Sequence, residues 1–474
     1  MAVNSTILNS WKEVDESYID KLLEREIEAD NHKIIVLDDD PTGVQTVHDV
    51  SVYTDWEKQS ICQGFKEESK LFYILTNSRS FTAEQTRKAH REIAEHVAWA
   101  ARESEKGYIF ISRSDSTLRG HYPLETECLK ESYERNTGKI IDGEILCPFF
   151  KEGGRYTIGN VHYVKYGENL VPANETEFAK DRTFGYDAKT MPEYVEEKTA
   201  GRFKAEAVIS ISLEDIRNVD IEKIESQLLE VKDFNKIIVN AVEYIDLKIF
   251  CIALYRVMAK GKSFMFRTAA AFVKVMGGVS DRRLLTRKQM IVKETNHGGI
   301  IVVGSHTEKT TKQIKGLERL ENVVFIEMDV TLINDEQAFE KEIERCLKEE
   351  ERCIQEGKTV CCYTTRKLIT ANTGDKEDNL RLSVKISDAV QSLVGRLSIT
   401  PGFVIAKGGI TSSDIGVRAL SVKKANVLGQ IRPGIPVWQT GEESKFPLTP
   451  YIIFPGNVGE EDTLKEVVEL LTER

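Results

Sequence analysis

The sequence lacks three features that would each assign it to a particular class of protein. It has no run of about 18 apolar residues, so it contains no candidate membrane-spanning helix. None of its eight cysteines forms a C-x-x-C pair, which argues against a zinc site or a disulfide framework. Its net charge is −11, whereas a protein that binds duplex nucleic acid normally presents a basic face. An anionic ligand would therefore need local arginines, backbone N–H groups and a bridging cation.

Two further absences concern targeting and nucleotide binding. The first residues, MAVNSTILNSWKEVDE, lack the basic and apolar regions of a secretory signal, and we expect a cytoplasmic protein. Gly261-Lys262-Ser263 is not a Walker A loop, because the required upstream glycine is missing and Ser263 begins a predicted strand.

At 474 residues the chain is too long for one ordinary core, so we expect about two to three domains.

Short apolar runs separated by helical segments recur along the chain. The clearest helix begins at Thr82, which has capping-box spacing with Gln85 and precedes the apolar stripe Ala89, Ile93 and Val97. Apolar strands that alternate with helices are typical of a mainly parallel sheet covered on both faces. The predicted strands of the first part are Lys33–Leu37, Leu71–Leu75, Tyr108–Ile111, Ala207–Ile211, Lys236–Val239 and Ser263–Phe266.

Residues 277–299 are rich in charge and glycine and are the best candidate for a domain boundary. A second series of strands follows. Its predicted members are Ile300–Val303, Val323–Glu327, Thr359–Tyr363, Phe403–Ala406 and Tyr451–Phe454. The sequence therefore predicts two α/β domains, at 1–285 and 298–474, each with a mainly parallel sheet flanked by helices.

The first predicted strand ends in the acidic triplet Asp38-Asp39-Asp40, followed by Pro41-Thr42-Gly43. Adjacent carboxylates raise each other's pKa, which a protein tolerates where a metal, a ligand hydroxyl or a mobile proton lies nearby. In an open α/β sheet, ligands bind at the carboxyl ends of the strands. The triplet is therefore a candidate site, and an acidic turn on the surface is the alternative.

A second polar segment, Arg113–Gly120, follows the strand Tyr108–Ile111. Its two arginines, one acid and three hydroxyls could clamp a carboxylate and order the neighbouring hydroxyls of a ligand. The alternative is a helix N-cap beside two surface arginines. Further along, Gly159-Asn160 predicts a hairpin within an aromatic segment that we interpret as a lid or substrate wall. His162 of that hairpin is either a donor to the ligand or a structural hydrogen bonder.

The strand ends of the second domain carry glycine and hydroxyl groups. Lys407–Asp414 predicts either a phosphate cradle or a glycine turn with an N-cap. The loops Gly304–Thr307 and Pro455–Gly459 add two weaker signals of the same kind. One domain thus looks suited to a polyhydroxy acid and the other to phosphates.

A phosphatase is a separate hypothesis. Asp38, Asp40 and Thr42 have the D-x-D-x-T spacing of aspartyl-phosphate phosphatases, with Asp38 as nucleophile, Asp40 as acid/base and Mg²⁺ as an obligatory cofactor. These enzymes also need an acidic pair at a later strand end. The only candidate for that pair is 374–378, which no apolar strand precedes. This hypothesis also leaves the glycine-rich domain without a role.

At these motifs the chain resembles the four-carbon acid sugar kinase family, nearly from end to end. The family's D-D-x-T-G is similar to Asp39–Gly43, and its S-D-S-T-L-R-G, the most specific match, is Ser114–Gly120. Its G-x-V-H-Y-V resembles Gly159–Val164, and its R-T-A-A is Arg267–Ala270. In the nucleotide domain, the family's ATP-binding loops resemble the segments Gly304-Ser305, Gly408–Thr411 and Gly456-Asn457.

The chain departs from the family pattern in four places. Ile410 replaces the glutamate of G-G-E-T, and Phe454-Pro455 stands where a lysine often precedes the last glycine loop. The triplet has an additional Asp38, and Pro41 replaces the usual phenylalanine. These departures leave the metal ligands and the particular substrate unassigned.

The resemblance implies ATP-dependent phosphorylation of a four-carbon acid sugar, such as threonate, erythronate or a 3-oxo-tetronate, with ATP and Mg²⁺ as cofactors. Asp39 or Asp115 would be the catalytic base. The residues expected to bind the sugar acid are Asp40, Arg79, Arg113, Ser114, Thr117, Arg119, His162 and Arg267. Those expected to bind ATP are Ser305, Gly408, Gly409, Ile410, Thr411, Gly456 and Asn457.

The resemblance also implies an active site in the cleft between the domains, whose closure would exclude water. We expect small-molecule ligands, no nucleic-acid or membrane partner, and leave a homo-oligomer open. A sensor that binds sugar acids and ATP without transferring phosphate is a third hypothesis.

Overall fold

The computed structural model describes residues 2–304, 307–366, 376–456 and 458–473. Contacts between residues divide the chain into two units. Unit 1 is 1–43 with 55–281, and unit 2 is 44–54 with 282–474. The predicted domain limits, 1–285 and 298–474, stay a prediction. Within the described ranges, no helix has the length and apolar character needed to cross a membrane.

Strands are numbered along the chain. They are β1 Val3–Asn4, β2 Lys33–Asp38, β3 Val50–Tyr53, β4 Leu71–Leu75, β5 Tyr108–Arg113, β6 Gly143–Cys147, β7 Arg155–Ile158, β8 Val161–Tyr166, β9 Asn169–Pro172, β10 Ile209–Ile211, β11 Asn235–Val239, β12 Phe264–Thr268, β13 Ile300–Val303, β14 Val323–Met328, β15 Thr359–Thr364, β16 Val404–Lys407, β17 Lys424–Arg432, β18 Ile435–Thr440 and β19 Pro450–Phe454.

The α-helices are numbered in the same way. They are α1 Glu16–Ala29, α2 Lys58–Lys66, α3 Ala83–Glu103, α4 Leu124–Thr137, α5 Met191–Lys198, α6 Leu213–Arg217, α7 Ile221–Leu229, α8 Tyr244–Ala259, α9 Ala270–Met276, α10 Arg287–Met290, α11 Glu308–Leu317, α12 Glu336–Gln355, α13 Lys376–Gly395, α14 Gly409–Asp414 and α15 Thr463–Thr472.

Unit 1 contains a parallel sheet with the strand order β10-β11-β6-β12-β5-β2-β4. All six residues of β2 are buried, as expected for a strand covered on both faces. Helices α1, α7 and α8 pack together, as do α2, α3 and α4. The chain places β4 on one side of β2 and β5 on the other, which creates a topological switch point at the carboxyl end of β2.

Local sequence signals explain two features of unit 1. Helix α3 begins with the predicted capping box, in which Thr82 and Gln85 exchange side-chain to backbone hydrogen bonds. The predicted hairpin is also confirmed: β7 and β8 are antiparallel, and Gly159 and Asn160 have φ values of 56° and 64°, as a type I′ turn requires. With β9 and β1 they form a second, antiparallel sheet, so the aromatic segment is ordered.

Unit 2 contains a mainly parallel sheet. Strands β14-β15-β13-β16-β19 are parallel, and β18, β17 and β3 continue the sheet in antiparallel pairs. Here the chain places β15 and β14 on one side of β13 and β16 on the other, so the switch point lies at the ends of β13 and β16. The prediction of mainly parallel α/β sheets is confirmed.

The predicted strands differ from the observed ones in a few places. Ala207 lies in a 3₁₀ turn, so β10 begins only at Ile209, and Ser263 precedes β12. Strand β6 was not predicted, because Gly143 and Glu144 interrupt its apolar pattern. Strands β1, β3, β9, β17 and β18 were not predicted either. Seven of the eight cysteines are buried and Cys62 is half-buried, and none forms a disulfide.

Candidate active site

The acidic triplet lies at the carboxyl end of β2, at the switch point of unit 1. Asp38 and Asp39 are each 2% exposed, so the surrounding protein shields both carboxylates from solvent. Asp40 is more accessible, with 17% of its side chain exposed. Such burial does not fit the alternative of an acidic surface turn.

Asp38 is enclosed by Arg113 and Gly43. Arg113 Nη1 lies 3.2 Å from Asp38 Oδ1, and a Cβ added to Gly43 would lie 1.9 Å from Asp38 Oδ2. Burial raises the pKa of Asp38 to about 7, although Arg113 opposes this effect. Asp38 is thus buried, paired with an arginine and closely approached by the backbone at Gly43. The geometry therefore disfavours the phosphatase hypothesis, in which Asp38 is the nucleophile.

Asp39 and Asp40 share the guanidinium group of Arg79. Arg79 Nη2 donates to Asp39 Oδ1 at 2.7 Å and Nε donates to Asp39 Oδ2 at 3.3 Å, while Nη1 donates to Asp40 Oδ2 at 3.3 Å. Burial raises the pKa of Asp39 against the opposing charge of Arg79. Burial has the same effect on Asp40, but Arg79 and the hydrogen bonds from Thr42 outweigh it and lower the pKa of Asp40. Asp39 is therefore the stronger base of the two.

Asp115 lies in the loop Arg113–Gly120, which follows β5. Arg119 Nε lies 2.7 Å from Asp115 Oδ2, and the Thr117 hydroxyl donates to the same oxygen. Burial would raise the pKa of Asp115, but Arg79 and Arg119 outweigh it and hold that pKa well below its ordinary value. Ser114 is buried as well, and its backbone N–H donates to the carbonyl of Thr268 at 2.9 Å. Asp115 is thus a weak base whose charge is already balanced.

Side chains hold this loop by donating to four consecutive carbonyl oxygens. The donors are His162 to Ser116 at 2.7 Å, Tyr186 to Thr117 at 3.1 Å, Tyr194 to Leu118 at 2.8 Å and Arg267 to Arg119 at 3.2 Å. Leu118 has a φ of 72°, which costs energy in a non-glycine residue and persists where the surroundings fix it. The loop is therefore held in one conformation by the protein itself.

Both ring nitrogens of His162 are engaged. Nε2 donates to the Ser116 carbonyl, so Nδ1 accepts from the Thr157 hydroxyl at 2.9 Å. Burial lowers the pKa of His162 to about 4, which keeps the ring neutral at pH 7. In this structure His162 positions the loop, and its direct contact with a substrate stays a prediction.

Arg267, at the end of β12, is paired with Glu125. Its Nη1 donates to Glu125 and, at 3.2 Å, to the Ser112 hydroxyl. Ser78 Oγ donates to Glu125 Oε1 at 2.6 Å. Burial acts to raise the pKa of Glu125, but Arg267 and the other partners lower it overall. Glu125 was not among the predicted site residues, because its only signal in the sequence is an acid in the first turn of the helix that follows the loop.

In unit 2, three neighbouring parallel strands end at the same level. Val303 of β13 pairs in register with Lys407 of β16, and Lys407 pairs with Phe454 of β19. The predicted glycine loops follow these three positions. A Cβ on Gly304 would lie 2.3 Å from the Thr411 hydroxyl, so only glycine permits this approach. The predicted loops therefore start side by side.

Lys407 begins the predicted cradle Lys407–Asp414 and is a functional candidate that was not among the predicted ATP-binding residues. It is fully buried, and its ammonium donates to the Pro455 carbonyl at 2.6 Å and lies 4.0 Å from the centre of the Phe454 ring. Burial lowers the pKa of Lys407 to about 7. Its sequence signal is a lysine between an apolar strand and Gly408, whose φ of 122° favours glycine. The lysine absent at position 454 is thus matched by one on the neighbouring strand.

The remaining predicted nucleotide residues lie in the same loops or outside the described residues. Gly409 begins α14, and Gly456 follows Pro455. Ile410 is 73% exposed, so an apolar side chain faces solvent at the position where the family usually has a carboxylate. Ser305 and Asn457 lie outside the described residues, as does 374–375 of the acidic pair considered for a phosphatase.

No group of three or more His, Cys, Asp or Glu side chains in the described part of the chain is arranged to hold a metal ion. Mg²⁺ is commonly bound through one or two carboxylates together with the phosphates of a nucleotide.

Family models match both halves of the chain. A model described as a sugar-binding N-terminal domain matches residues 34–276. A model described as a nucleotide-binding C-terminal domain matches residues 300–464. No curated protein matches the chain.

Two solved structures are similar in fold. Haemophilus influenzae protein HI1011, described as a DUF1537 protein, has a TM-score of 0.63 and 16% identity, with 92% of this chain and 100% of that chain covered. A structure described as a putative tRNA synthase from Salmonella typhimurium LT2 has a TM-score of 0.66 and 15% identity, with 91% and 98% covered. At such low identity both show the fold alone.

Proposed function

Because the chain belongs to the four-carbon acid sugar kinase family, we propose that it transfers the γ-phosphate of ATP to a hydroxyl of a four-carbon acid sugar. The sugar acid binds unit 1 at the ends of β2, β5 and β12. ATP binds the glycine loops of unit 2. The proposal covers threonate, erythronate and 3-oxo-tetronate as substrates.

The observation that carries this proposal is the contrast between Asp39 and Asp115 at neighbouring strand ends. A base in phosphoryl transfer orients the attacking hydroxyl and accepts its proton. Such a base works best when its pKa lies near the working pH. Burial moves the pKa of Asp39 in that direction, whereas Arg79 and Arg119 hold the pKa of Asp115 low. We therefore assign Asp39 as the base and Asp115 as the residue that positions Thr117 and Arg119.

The arginines around Asp39 supply positive charge where phosphate charge would develop. Arg79 contacts Asp39 at two points, and Arg113 Nη1 lies 3.7 Å from Asp39 Oδ1. Fixed cations at a transferring phosphoryl group stabilise the transition state because they need no reorganisation during the reaction. This arrangement supports a transferase more than a simple binding protein.

The glycine loops and Lys407 of unit 2 suit the phosphates of ATP, which supplies the phosphoryl group when bound. Glycine allows backbone N–H groups to approach phosphate oxygens closely, and a buried ammonium adds a strong charge-assisted donor. Lys407 forms one described hydrogen bond, to Pro455, and an ammonium has three donors. The remaining donors are suited to a phosphate.

The test is ADP formation from Mg-ATP in the presence of individual four-carbon acids and of the matching neutral polyols. We expect ADP release that depends on one of the acids. Release of phosphate from sugar phosphates without nucleotide would favour the phosphatase. Tight ATP binding without ADP formation for any acid would favour the sensor, and either result would overturn the kinase proposal.

A further inference from the structure

Arg155, the first residue of β7, has a fixed backbone and an incompletely paired guanidinium group. Its backbone exchanges hydrogen bonds with Phe150, at 2.8 and 3.0 Å, and pairs in register with Val164 of β8. Its side chain donates from Nη1 to the Gly153 carbonyl. Its Nε is buried and has no hydrogen-bond partner among the residues that the structure describes. The protein therefore holds this guanidinium in place while leaving donors unused.

Arg155 differs from the other arginines of this region in its lack of a carboxylate partner. Within the described residues, each of the other four lies within ion-pair distance of an acid. These pairs are Arg79 with Asp39 and Asp40, Arg113 with Asp38, Arg119 with Asp115, and Arg267 with Glu125. No acid in the described part of the chain forms such a pair with Arg155, and the nearby Glu177 carboxylate accepts hydrogen bonds from Tyr166 at 2.9 and 3.0 Å.

The ring of Phe178 connects Arg155 with the loop that follows β5. The guanidinium carbon of Arg155 lies 5.4 Å from the ring centre, and that of Arg119 lies 5.1 Å from it. Both distances suit cation–π contacts. Phe178 in turn packs against the hydrophobic cluster that contains Tyr186 and Tyr194, which hold the loop. The ring of Phe178 thus contacts both guanidinium groups, and one of them, Arg119, is paired with Asp115.

A half-buried guanidinium that lacks a carboxylate partner among the described residues, beside the loop that follows β5, is suited to an anion. Burial lowers the pKa of Arg155, despite the opposing charge of Asp115, which reflects a cation whose charge is not fully balanced. The guanidinium group of arginine binds a planar carboxylate through two parallel N–H···O hydrogen bonds, and it retains its charge at any physiological pH. The carboxylate of a four-carbon acid sugar matches this chemistry.

We propose that Arg155 binds the substrate carboxylate, with the ring of Phe178 as its support, and thereby makes the site selective for acid sugars over neutral ones. The inference rests on the proposed function, because it assigns the acid-reading residue of the same site. The arginines of unit 1 then have two different roles. Arg79, Arg113, Arg119 and Arg267 organise the carboxylates of the protein, whereas Arg155 recognises the carboxylate of the ligand.

The experiment compares binding and turnover of D-threonate, L-threonate and D-erythronate with their neutral primary amides in the wild type, Arg155→Gln and Arg155→Lys. We expect Arg155→Gln to raise the acid Kd and KM by about 10- to 100-fold, as for the loss of a charge-assisted contact, with little change in kcat. Binding of the amides should change little, so the preference for acids should collapse. Arg155→Lys keeps the positive charge but lacks the two parallel donors of a guanidinium group. It should therefore retain more of the preference for acids than Arg155→Gln does.

Two further variants provide controls. Arg182→Gln removes an exposed arginine from the same segment and should leave the acid KM unchanged. Phe178→Leu keeps an apolar side chain but removes the ring, and should raise the acid KM in the same direction as Arg155→Gln. An unchanged ATP affinity in every variant would show that unit 2 remains folded.

The outcomes separate the inference from the proposed function. Unchanged acid binding in Arg155→Gln, or equal weakening of acid and amide, would overturn the inference and leave the kinase proposal standing. Acid binding that depends on Arg155 without any ADP formation would support the inference and overturn the kinase proposal. A wild type that binds neither these acids nor a 3-oxo-tetronate would overturn both.

Discussion

Arg79 donates two hydrogen bonds to Asp39, from Nη2 to Oδ1 at 2.7 Å and from Nε to Oδ2 at 3.3 Å. Its Nη1 donates a third, to Asp40 Oδ2 at 3.3 Å. One guanidinium thus serves two adjacent carboxylates. Burial raises the pKa of Asp39, whereas at Asp40 the charge of Arg79 and the hydrogen bonds from Thr42 outweigh burial and lower the pKa. This difference is what allows neighbouring acids to have separate roles. The assignment of Asp39 as the base follows from it.

Asp39→Asn should lower kcat by about 10²- to 10⁴-fold, the usual contribution of a general base. The amide keeps the shape of the side chain but cannot accept the proton of the hydroxyl. Steady-state kinetics over a range of acid concentrations would measure the change. Asp20→Asn, which removes a surface carboxylate that pairs with Lys248, is the control and should retain activity. Full turnover by Asp39→Asn would remove Asp39 as the base.

The buried Asp38 should make folding stability depend on pH. Its pKa is about 7 in the folded protein against an ordinary value of 3.8, so the folded state keeps this proton over a range in which the unfolded state loses it. Its contribution to the free energy of unfolding is therefore full below about pH 4 and is lost as the pH rises through about 7. Denaturant midpoints at pH 4.5 and 8 should show a loss on the order of a few kcal/mol in the wild type.

Asp38→Asn mimics the protonated carboxyl and should lose less stability over the same interval. The comparison removes the contribution of all other titrating groups, because they are shared by both proteins. An equal pH dependence in the two proteins would show that Asp38 is ionised in the folded state.

Gly43→Ala should damage unit 1 because the new Cβ would lie 1.9 to 2.2 Å from the Asp38 carboxylate. Either Asp38 or the backbone must move, and overpacking of this kind typically costs about 1–3 kcal/mol. Gly395→Ala is a matched control, since its Cβ would meet neighbours only at 3.4 to 3.6 Å, which is ordinary contact. Thermal unfolding of both variants measures the difference. Equal stability would contradict the close packing of Gly43 on Asp38.

Lys407 should make nucleotide affinity depend on pH. With a pKa of about 7, the ammonium is largely charged at pH 6 and largely neutral at pH 8.5, so affinity for ATP should fall as the pH rises. Lys407→Gln should bind ATP more weakly at pH 6 and lose this part of the pH dependence. Lys423→Gln, an exposed lysine of unit 2, should behave like the wild type. Calorimetric titrations at several pH values would measure the Kd for ATP. The same pH dependence of this Kd in the wild type and in Lys407→Gln would exclude a role for Lys407 in ATP binding.

Much of the fold could be predicted because buried parallel strands carry continuous apolar runs. The strand-end motifs could also be placed, since the carboxyl ends of parallel strands meet at one edge and the switch point of unit 1 brings β2 and β5 together. Strand β6 was not predicted because it contains a buried glutamate, Glu144. Glu144 is buried there only because it pairs with Lys236 at 2.6 Å, across more than ninety residues of chain.

The supporting contacts of the site were beyond sequence reasoning for the same reason. Tyr186 and Tyr194 donate to the loop after β5 from about seventy residues away, and no local pattern encodes such contacts. Glu125 has the appearance of an ordinary helix-start acid until the fold places Arg267 beside it. The separate behaviour of Asp38 likewise depends on the approach of Gly43.

The most direct test of the central claim follows labelled γ-phosphate from ATP in the presence of each four-carbon acid. The kinase proposal predicts that the label appears on the acid, in one-to-one proportion with ADP, for at least one acid. Label found only as free phosphate, or label that remains on tightly bound ATP with every acid, would contradict it.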